Sequence, residues 1–402
     1  MSILNQPGPR GYVVFDPQGV KMQYVTYMVK ILQSECMHDT AIITLQGANL
    51  SAPALQPGTP MFVTYGNSPG DVDTFYGYID HVAPHYERTI PDVSSYEDIV
   101  CMGESYVMKD PLVGSWSGIQ ASTLVREIAS SFKLAALIQT DDYAWPQLSC
   151  SGDSAWSFLT QLAHKVGYTL AVNKNLLRFT SVKAGLRQSW AGMPVFNTRK
   201  TAPNTAQQGI SKFQALQGEA LGLPGHTKAL RTISGMDSTG KIVGAFNDGT
   251  SVRTLGQTTR YPFFVEQISD TVVTSQGSAA ATLVGMTESN RFQYQAAASL
   301  VGLTSVTQGT PIVLAGLDDN ENGVWWVQEV EHVIKAAGYF MDVSLGRDSV
   351  GDTGLRPNQY NGVAYSPSNP FTYAIHSAPP TVLVQQRWRS ANQFNVFVTG
   401  GQ

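Results

Sequence analysis

Alternation of apolar and polar residues dominates the first quarter of the chain. Residues 22–32, 40–46, 61–65, 74–82 and 98–108 are rich in Val, Ile, Thr, Tyr and Phe, and clusters such as Gly47-Ala-Asn49 and Asn67-Ser-Pro-Gly-Asp71 separate them. Such runs predict strands joined by turns, hence an N-terminal arm and a small antiparallel barrel or sandwich within residues 1–110. The period then changes. Leu124, Val125, Ile128, Ala129 and Phe132 are spaced as on a helix over 117–132. A second helix has Asp153 or Ser154 to accept from the unpaired amides of its first turn. Trp156, Leu159, Ala163 and Val166 fall on one face of it, beside Phe158 and Leu162, and Gly167 stands where a left-handed stop is expected. Residues 168–172 and 176–179 flank the hairpin loop Asn173-Lys-Asn175. Residues 111–180 therefore read as an α/β insert and 181–210 as a connection, in which 194–197 adds one short strand.

Strand signals resume over 211–348, with one helix candidate at 278–292. This region carries an internal similarity to the first. Gly58-Thr-Pro60-Met-Phe-Val63 matches Gly309-Thr-Pro311-Ile-Val-Leu314, and Ile79-Asp-His81-Val82 matches Val330-Glu-His332-Val333, both at an offset of 251 residues. Two matches in one register predict a duplication. The expected fold class is mainly β with an α+β insert: two duplicated barrel domains separated by the insert. Residues 349–402 are rich in Pro and Gly and poor in charge, which suits an extended C-terminal arm that docks on a neighbour.

Composition narrows the function. Charged residues make up 14% of the 402, against about 25% in ordinary soluble domains. Ser, Thr, Gln, Asn and Gly take their place, so the deficit reflects neither a membrane span nor a larger core. With 10% aromatic residues the chain has ample apolar surface to fold. A net charge of -4 without any basic run argues against a nucleic-acid surface. The N-terminus lacks the basic start and apolar stretch of a secretory signal. The longest uncharged stretch, 292–317, is interrupted by Gln, Ser, Thr, Gly and Pro, unlike a bilayer span of about 20 apolar residues. Cys36, Cys101 and Cys150 have no metal or redox spacing and read as reduced structural thiols of a protein made in the cytoplasm.

The candidate chemistry is sparse. His81 and His332 each follow an acidic residue, but neighbours on a strand point to opposite faces, so Asp80 is not expected to orient the His81 ring. A structural task at a strand end is the better reading. His38, His85, His164, His226 and His376 form no zinc spacing. Asp318-Asp-Asn320-Glu-Asn322-Gly323 with Glu329 fits a calcium-loop pattern. Strands are expected on both sides of it, where that site needs helices, and an acidic hairpin turn is preferred. Trp325 and Trp326 suggest a sugar or base platform, but as strand neighbours they face opposite ways, and packing fits better. No catalytic, cofactor-binding or metal-binding residue is assigned, and no enzyme activity is expected.

The segment Gly152-Asp-Ser154-Ala-Trp156-Ser-Phe158-Leu159-Thr-Gln-Leu162-Ala163-His-Lys-Val-Gly167-Tyr168, with Leu176-Leu-Arg-Phe179 after it, resembles a segment of phage tail hub proteins. These comprise baseplate hubs of contractile tails, tail-tip hubs of long non-contractile tails and the base of type VI secretion spikes. Residues 117–132 and the closing segment 323–348 resemble the same family, which brings the likeness to about residues 22–348. The resemblance implies a homotrimeric, pseudo-six-fold ring in the virion tail, assembled in the host cytoplasm. It would join the hexameric tail tube or distal tail protein to a three-fold spike or tip protein. Its lumen would hold the tape-measure protein and later pass DNA as cargo. The competing classes are a β-rich glycan hydrolase of the host surface and a receptor- or carbohydrate-binding module.

Overall fold

The computed structural model describes residues 25–46, 55–68, 71–88, 93–139, 143–181, 194–198, 208–216, 230–248, 252–254, 266–269, 273–289, 292, 294–318, 321–335 and 338–347. The N-terminal arm and the C-terminal extension lie outside the described residues, as does most of the connection. The chain is mainly β, with three α-helices among the described residues.

Its framework is one continuous sheet of eleven strands. The first five are β1 (Val25–Ser34), β2 (Thr40–Gln46), β3 (Pro60–Ser68), β4 (Asp71–Arg88) and β5 (Val93–Gly103). They are ordered β1-β2-β5-β4-β3, every pair antiparallel. A 3-10 helix, Glu104–Lys109, leads into the insert.

The insert comprises β6 (Pro111–Gln120), α1 (Ala121–Ser131), β7 (Ala135–Ile138), β8 (Ala144–Ser154), α2 (Ala155–Val166), β9 (Tyr168–Asn173) and β10 (Leu176–Ser181). β6 and β8 form a two-stranded ribbon, and β7, β10 and β9 a three-stranded sheet. The ends of α2 follow from local chemistry. The Ser154 hydroxyl accepts from the Ser157 amide at 3.1 Å, and Gly167 stops the helix at φ 74°. Leu124, Val125, Ile128, Trp156, Leu159 and Leu162 fill the core of the insert.

The remaining strands of the framework are β11 (Val195–Asn197) and β12 (Gln208–Leu216), then, after an excursion, the four that end the described chain. The excursion forms its own four-stranded sheet from β13 (Leu230–Met236), β14 (Ile242–Asp248), β15 (Val252–Thr254) and β16 (Glu266–Ser269), followed by α3 (Gln276–Ser289). The framework resumes with β17 (Tyr294–Val301), β18 (Pro311–Ala315), β19 (Gly323–Lys335) and β20 (Gly338–Arg347). Residues 211–348 thus hold both barrel strands and a separate sheet. α3 lies on α2, and Gly285 is the contact point. A Cβ there would stand inside the Lys165 carbonyl oxygen and against Val166. Helix propensity alone favours alanine over glycine by about 1 kcal/mol. The obstacle is helix backbone, which cannot swing aside, so Gly285→Ala is expected to destabilise by about 1–3 kcal/mol, read as a lowered midpoint in urea unfolding.

β12, β17, β20, β19 and β18 repeat the strand order of β1, β2, β5, β4 and β3, again with every pair antiparallel. Two bulges recur with them. β1 slips against β2 between Thr26 and Met28, as β12 slips against β17 between Ile210 and Lys212. β4 slips between Ile79 and His81, as β19 slips between Val327 and Glu329. The Gly-Thr-Pro strand openings are also equivalent. Gly58, at φ 82°, donates to the Ile79 carbonyl, and Gly309, at φ 74°, donates to that of Val327. The second short sequence match, however, is out of register. Pro60 faces Tyr78 but Pro311 faces Trp326, not Glu329, so the stretch before β19 is three residues shorter. His332 therefore corresponds to Pro84, and His81 to Glu329.

The two sets differ in closure. β11 runs parallel to both β12 and β18, and β18 also pairs with β19, which completes a six-stranded mixed barrel. Among the described residues β3 pairs only with β4, so the first set shows no such closure within them. The two sets share one core, in which Ile31, Ile43, Met61, Phe196, Ile312 and Trp325 are buried.

Candidate functional site

The residues most concentrated in buried polar chemistry lie at the joint between the two five-stranded sets. There β1 runs antiparallel to the distal half of β19, from Met28 opposite Lys335 to Ser34 opposite Glu329. The Lys30 ammonium and the Glu331 carboxylate meet across it at 3.3 Å. The Glu35 amide extends the ladder by donating to the Gln328 carbonyl at 3.0 Å. The Glu35 carboxylate accepts from the Trp326 indole at 2.9 Å.

The insert is fastened to this joint at three points. The Cys36 amide donates to the Leu170 carbonyl at 2.8 Å, with Cys36 itself at φ 61°. Arg178 reaches the Gly309 carbonyl at 3.5 Å. Lys174, in the β9–β10 turn, pairs with Asp73 of β4. Burial pushes the Cys36 thiol up to about 11, so it is protonated and unreactive at neutral pH.

Two buried polar groups span the halves of the chain. Asp39, in the β1–β2 turn, accepts from Gln308 at 3.2 Å and from Gln33 at 3.5 Å. Burial raises its carboxyl well above the usual range, and the two amides only partly oppose that. His332 of β19 is fully buried against Tyr65 of β3, with ring centroids 5.3 Å apart, and its Nδ1 meets the Tyr339 hydroxyl at 2.8 Å. Burial drives its pKa down to about 3, against a smaller upward pull from the Val306 backbone, so the ring is neutral. Asp71 completes the seam by accepting from the Thr304 amide at 3.0 Å.

His81 is found in a different setting. It is exposed, and its Nδ1 lies 2.9 Å from Asp80. The alternation rule that separates these neighbours fails because Asp80 is the extra residue of the β4 bulge, which turns both side chains the same way. Lys109 binds the other Asp80 oxygen at 3.2 Å, and the hydrogen bond with His81, the largest cause, together with Lys109 holds the Asp80 carboxyl below its usual range. This is a surface ion cluster. His38 meets the Ser105 hydroxyl at 2.8 Å and stacks on Trp156, and burial lowers its pKa to about 4. It fastens the 3-10 helix to α2.

The acidic turn 318–323 joins two barrel strands, β18 and β19, and Asp319 and Asn320 lie outside the described residues. The Asp318 carbonyl accepts from the Glu321 and Asn322 amides, and the Glu321 carbonyl from the Trp325 indole. Arg347 donates to the Asn322 carbonyl at 3.0 Å and lies 4.0 Å over the Trp325 ring. No group of three His, Cys, Asp or Glu side chains among the described residues is placed to hold a metal. Trp325 and Trp326 are both buried on opposite faces of β19, one packed by Phe213 and the other held by Glu35. The joint residues Asp39, Gln308, Asp73 and Lys174 escaped the sequence reading, since each is a single polar residue with no motif around it.

No protein-family model matches the chain, and no curated protein matches it in sequence. Solved structures do match. A tail protein from Neisseria meningitidis MC58 aligns with a TM-score of 0.59 at 10% identity over 84% of this chain and 96% of that one. The 43 kDa tail protein of prophage MuSo2 from Shewanella oneidensis aligns at 0.57 with 14% identity, over 86% and 98%. An Escherichia coli component of the type VI secretion system, described as similar in structure to bacteriophage tail proteins, aligns at 0.52 with 8% identity, over 83% and 76%. The chain has the fold of these tail proteins, one of them from a prophage, and of the type VI secretion component.

Proposed function

We propose that this chain is the structural hub of a phage tail tip or baseplate, a homotrimeric ring in the virion tail, assembled in the host cytoplasm. The observation that carries the reading is the recurrence, within a chain of tail-protein fold, of one five-strand order with its two bulges. A tail tube is six-fold and a puncturing tip three-fold. Three chains with two barrel-type units each offer six similar surfaces to the tube and remain three-fold towards the tip.

In this reading residues 1–110 and 211–348 supply duplicated barrel domains and 349–402 an arm on a neighbour. The insert, 111–180, faces other tip components. The ring meets the tail tube or distal tail protein on one side and the spike or tip protein on the other. Its channel holds the tape-measure protein and then passes DNA, which a chain of net charge -4 would not grip. The joint residues act as a lock that fixes the angle between the two units, and no catalysis is assigned to them. The low charge follows from burial of both flanks and both faces in the assembly. Tails carrying a gold-labelled tag on this chain should show label at the distal end of the tube. Label along the tube or at the head end would contradict the assignment.

A further inference from the structure

Asp39, Gln33 and Gln308 gather oxygen-rich side chains inside the joint. Gln33 lies near the end of β1, Asp39 in the β1–β2 turn and Gln308 in the stretch before β18, so the group ties one half of the chain to the other. All three residues are buried, at 4%, 4% and 2% exposure for Gln33, Asp39 and Gln308. No cationic side chain among the described residues pairs with Asp39, whose side-chain partners are the two amides. A buried carboxylate without a countercharge is strongly disfavoured.

The contacts within the group are long for hydrogen bonds. The Gln308 amide nitrogen is shared between the two carboxylate oxygens at 3.2 and 3.5 Å, and that of Gln33 stands 3.5 Å from one of them. Good N–H···O bonds measure about 2.7–3.2 Å. Each amide also leaves its Oε1 buried without a donor. A half-turn of an amide exchanges its nitrogen and oxygen in place, and the hydrogen-bond network decides which orientation holds. With both amides turned, two oxygens of Asp39 and one of each glutamine stand together at separations of 3.2–3.5 Å. Such separations suit the ligands of one ion. The edge of an octahedral shell is about 1.4 times the bond, hence about 3.3–3.7 Å for oxygen ligands at 2.3–2.6 Å but only about 2.9 Å around magnesium.

We propose that Asp39, Gln33 and Gln308 bind a hard cation of sodium or calcium size between the two halves of the chain. One carboxylate and two neutral amides balance a single positive charge, so sodium leaves the buried site neutral and calcium leaves one charge uncompensated. With a single acidic ligand, the site differs in kind from clusters of three His, Cys, Asp or Glu side chains. Its frame is fixed by the main chain. The Gly103 amide donates to the Asp39 carbonyl at 2.7 Å, and a Cβ on Gly103 would stand 3.1 Å from that of Asp39. The Thr310 hydroxyl donates to the Thr307 carbonyl at 2.6 Å and closes the turn that carries Gln308. Burial favours the protonated carboxyl when no ion is bound, so ion and proton compete for the same oxygens. The inference concerns the joint within one chain and does not rest on the ring reading.

Thermal unfolding of the full chain at pH 8, in choline, sodium and calcium chloride at equal ionic strength, tests the site. Choline is too large to enter it. Sodium should raise the midpoint over choline by about 2–4 °C, the shift for an ion present at a few times its dissociation constant. Asp39→Asn should remove the difference between the salts. Gln308→Glu, which brings a second carboxylate, should move the preference to calcium. A rise in sodium or in calcium that vanishes in Asp39→Asn supports the site, and the salt that acts identifies the ion. Equal midpoints of the native chain in all three salts, or a rise that Asp39→Asn retains, overturns it. If Asp39→Asn does not fold, Gln308→Glu decides: a salt preference identical to that of the native chain overturns the site.

Discussion

Phe196→Ala is expected to cost about 3–5 kcal/mol, the range for emptying a fully buried aromatic site. Phe196 is the largest side chain of β11, the strand that closes the barrel, and it is completely buried. β11 is only three residues long and makes parallel ladders to β12 and β18, so few backbone bonds hold it without that side chain. A loss of this size is a large fraction of the roughly 5–15 kcal/mol that stabilises a domain. Hydrogen exchange should localise it, with faster exchange in β12 and β18 and little change in α2. A loss below about 1 kcal/mol would mean that β11 does not hold the seam.

Acid should destabilise the protein through its buried histidines. The unfolded chain takes up a proton on His332 as pH falls below 6.5, whereas the folded chain resists until about 3. The stabilisation tied to this site is therefore complete above 6.5 and is lost as pH falls towards 3. Its slope approaches about 1.4 kcal/mol per pH unit for one proton. His38, lowered to about 4, acts in the same direction over a narrower window. Asp39 acts the opposite way. With its carboxyl raised above 3.8, its stabilisation is complete below that value and is lost as pH rises through the raised one. Comparison with His332→Gln, which leaves the Tyr339 hydroxyl a partner, isolates the histidine. Between pH 7 and 5 the native chain should lose about 2 kcal/mol more than the variant in urea unfolding. Parallel curves would show that His332 is not held neutral.

Much of the fold was legible because its signals are local. Ser154 and Gly167 bound α2 through hydrogen bonding and backbone conformation within a few residues, and the helical spacing of Leu124 to Ile128 needs no tertiary information. The β13–β16 sheet was not legible, since alternation marks a strand without saying which sheet it joins. The repeat was visible through Gly58 and Gly309, where a tight turn demands glycine. Its continuation into β19 was misaligned because an acidic-His-Val coincidence outweighed a three-residue difference in the preceding stretch. Bulges decide both remaining departures. They bring Asp80 and His81 together against the alternation rule, and they show that His81 and His332, one exposed and the other buried, are not equivalent. The joint itself depends on partners far apart in sequence, such as Asp39 with Gln308 and Asp73 with Lys174, which no spacing rule connects.

The mass of the purified chain in native mass spectrometry, across a dilution series, tests the central claim most directly. The hub account predicts a species of three times the 43.5 kDa chain mass, persisting on dilution. A monomer at every concentration, or a dimer as the largest species, would contradict it.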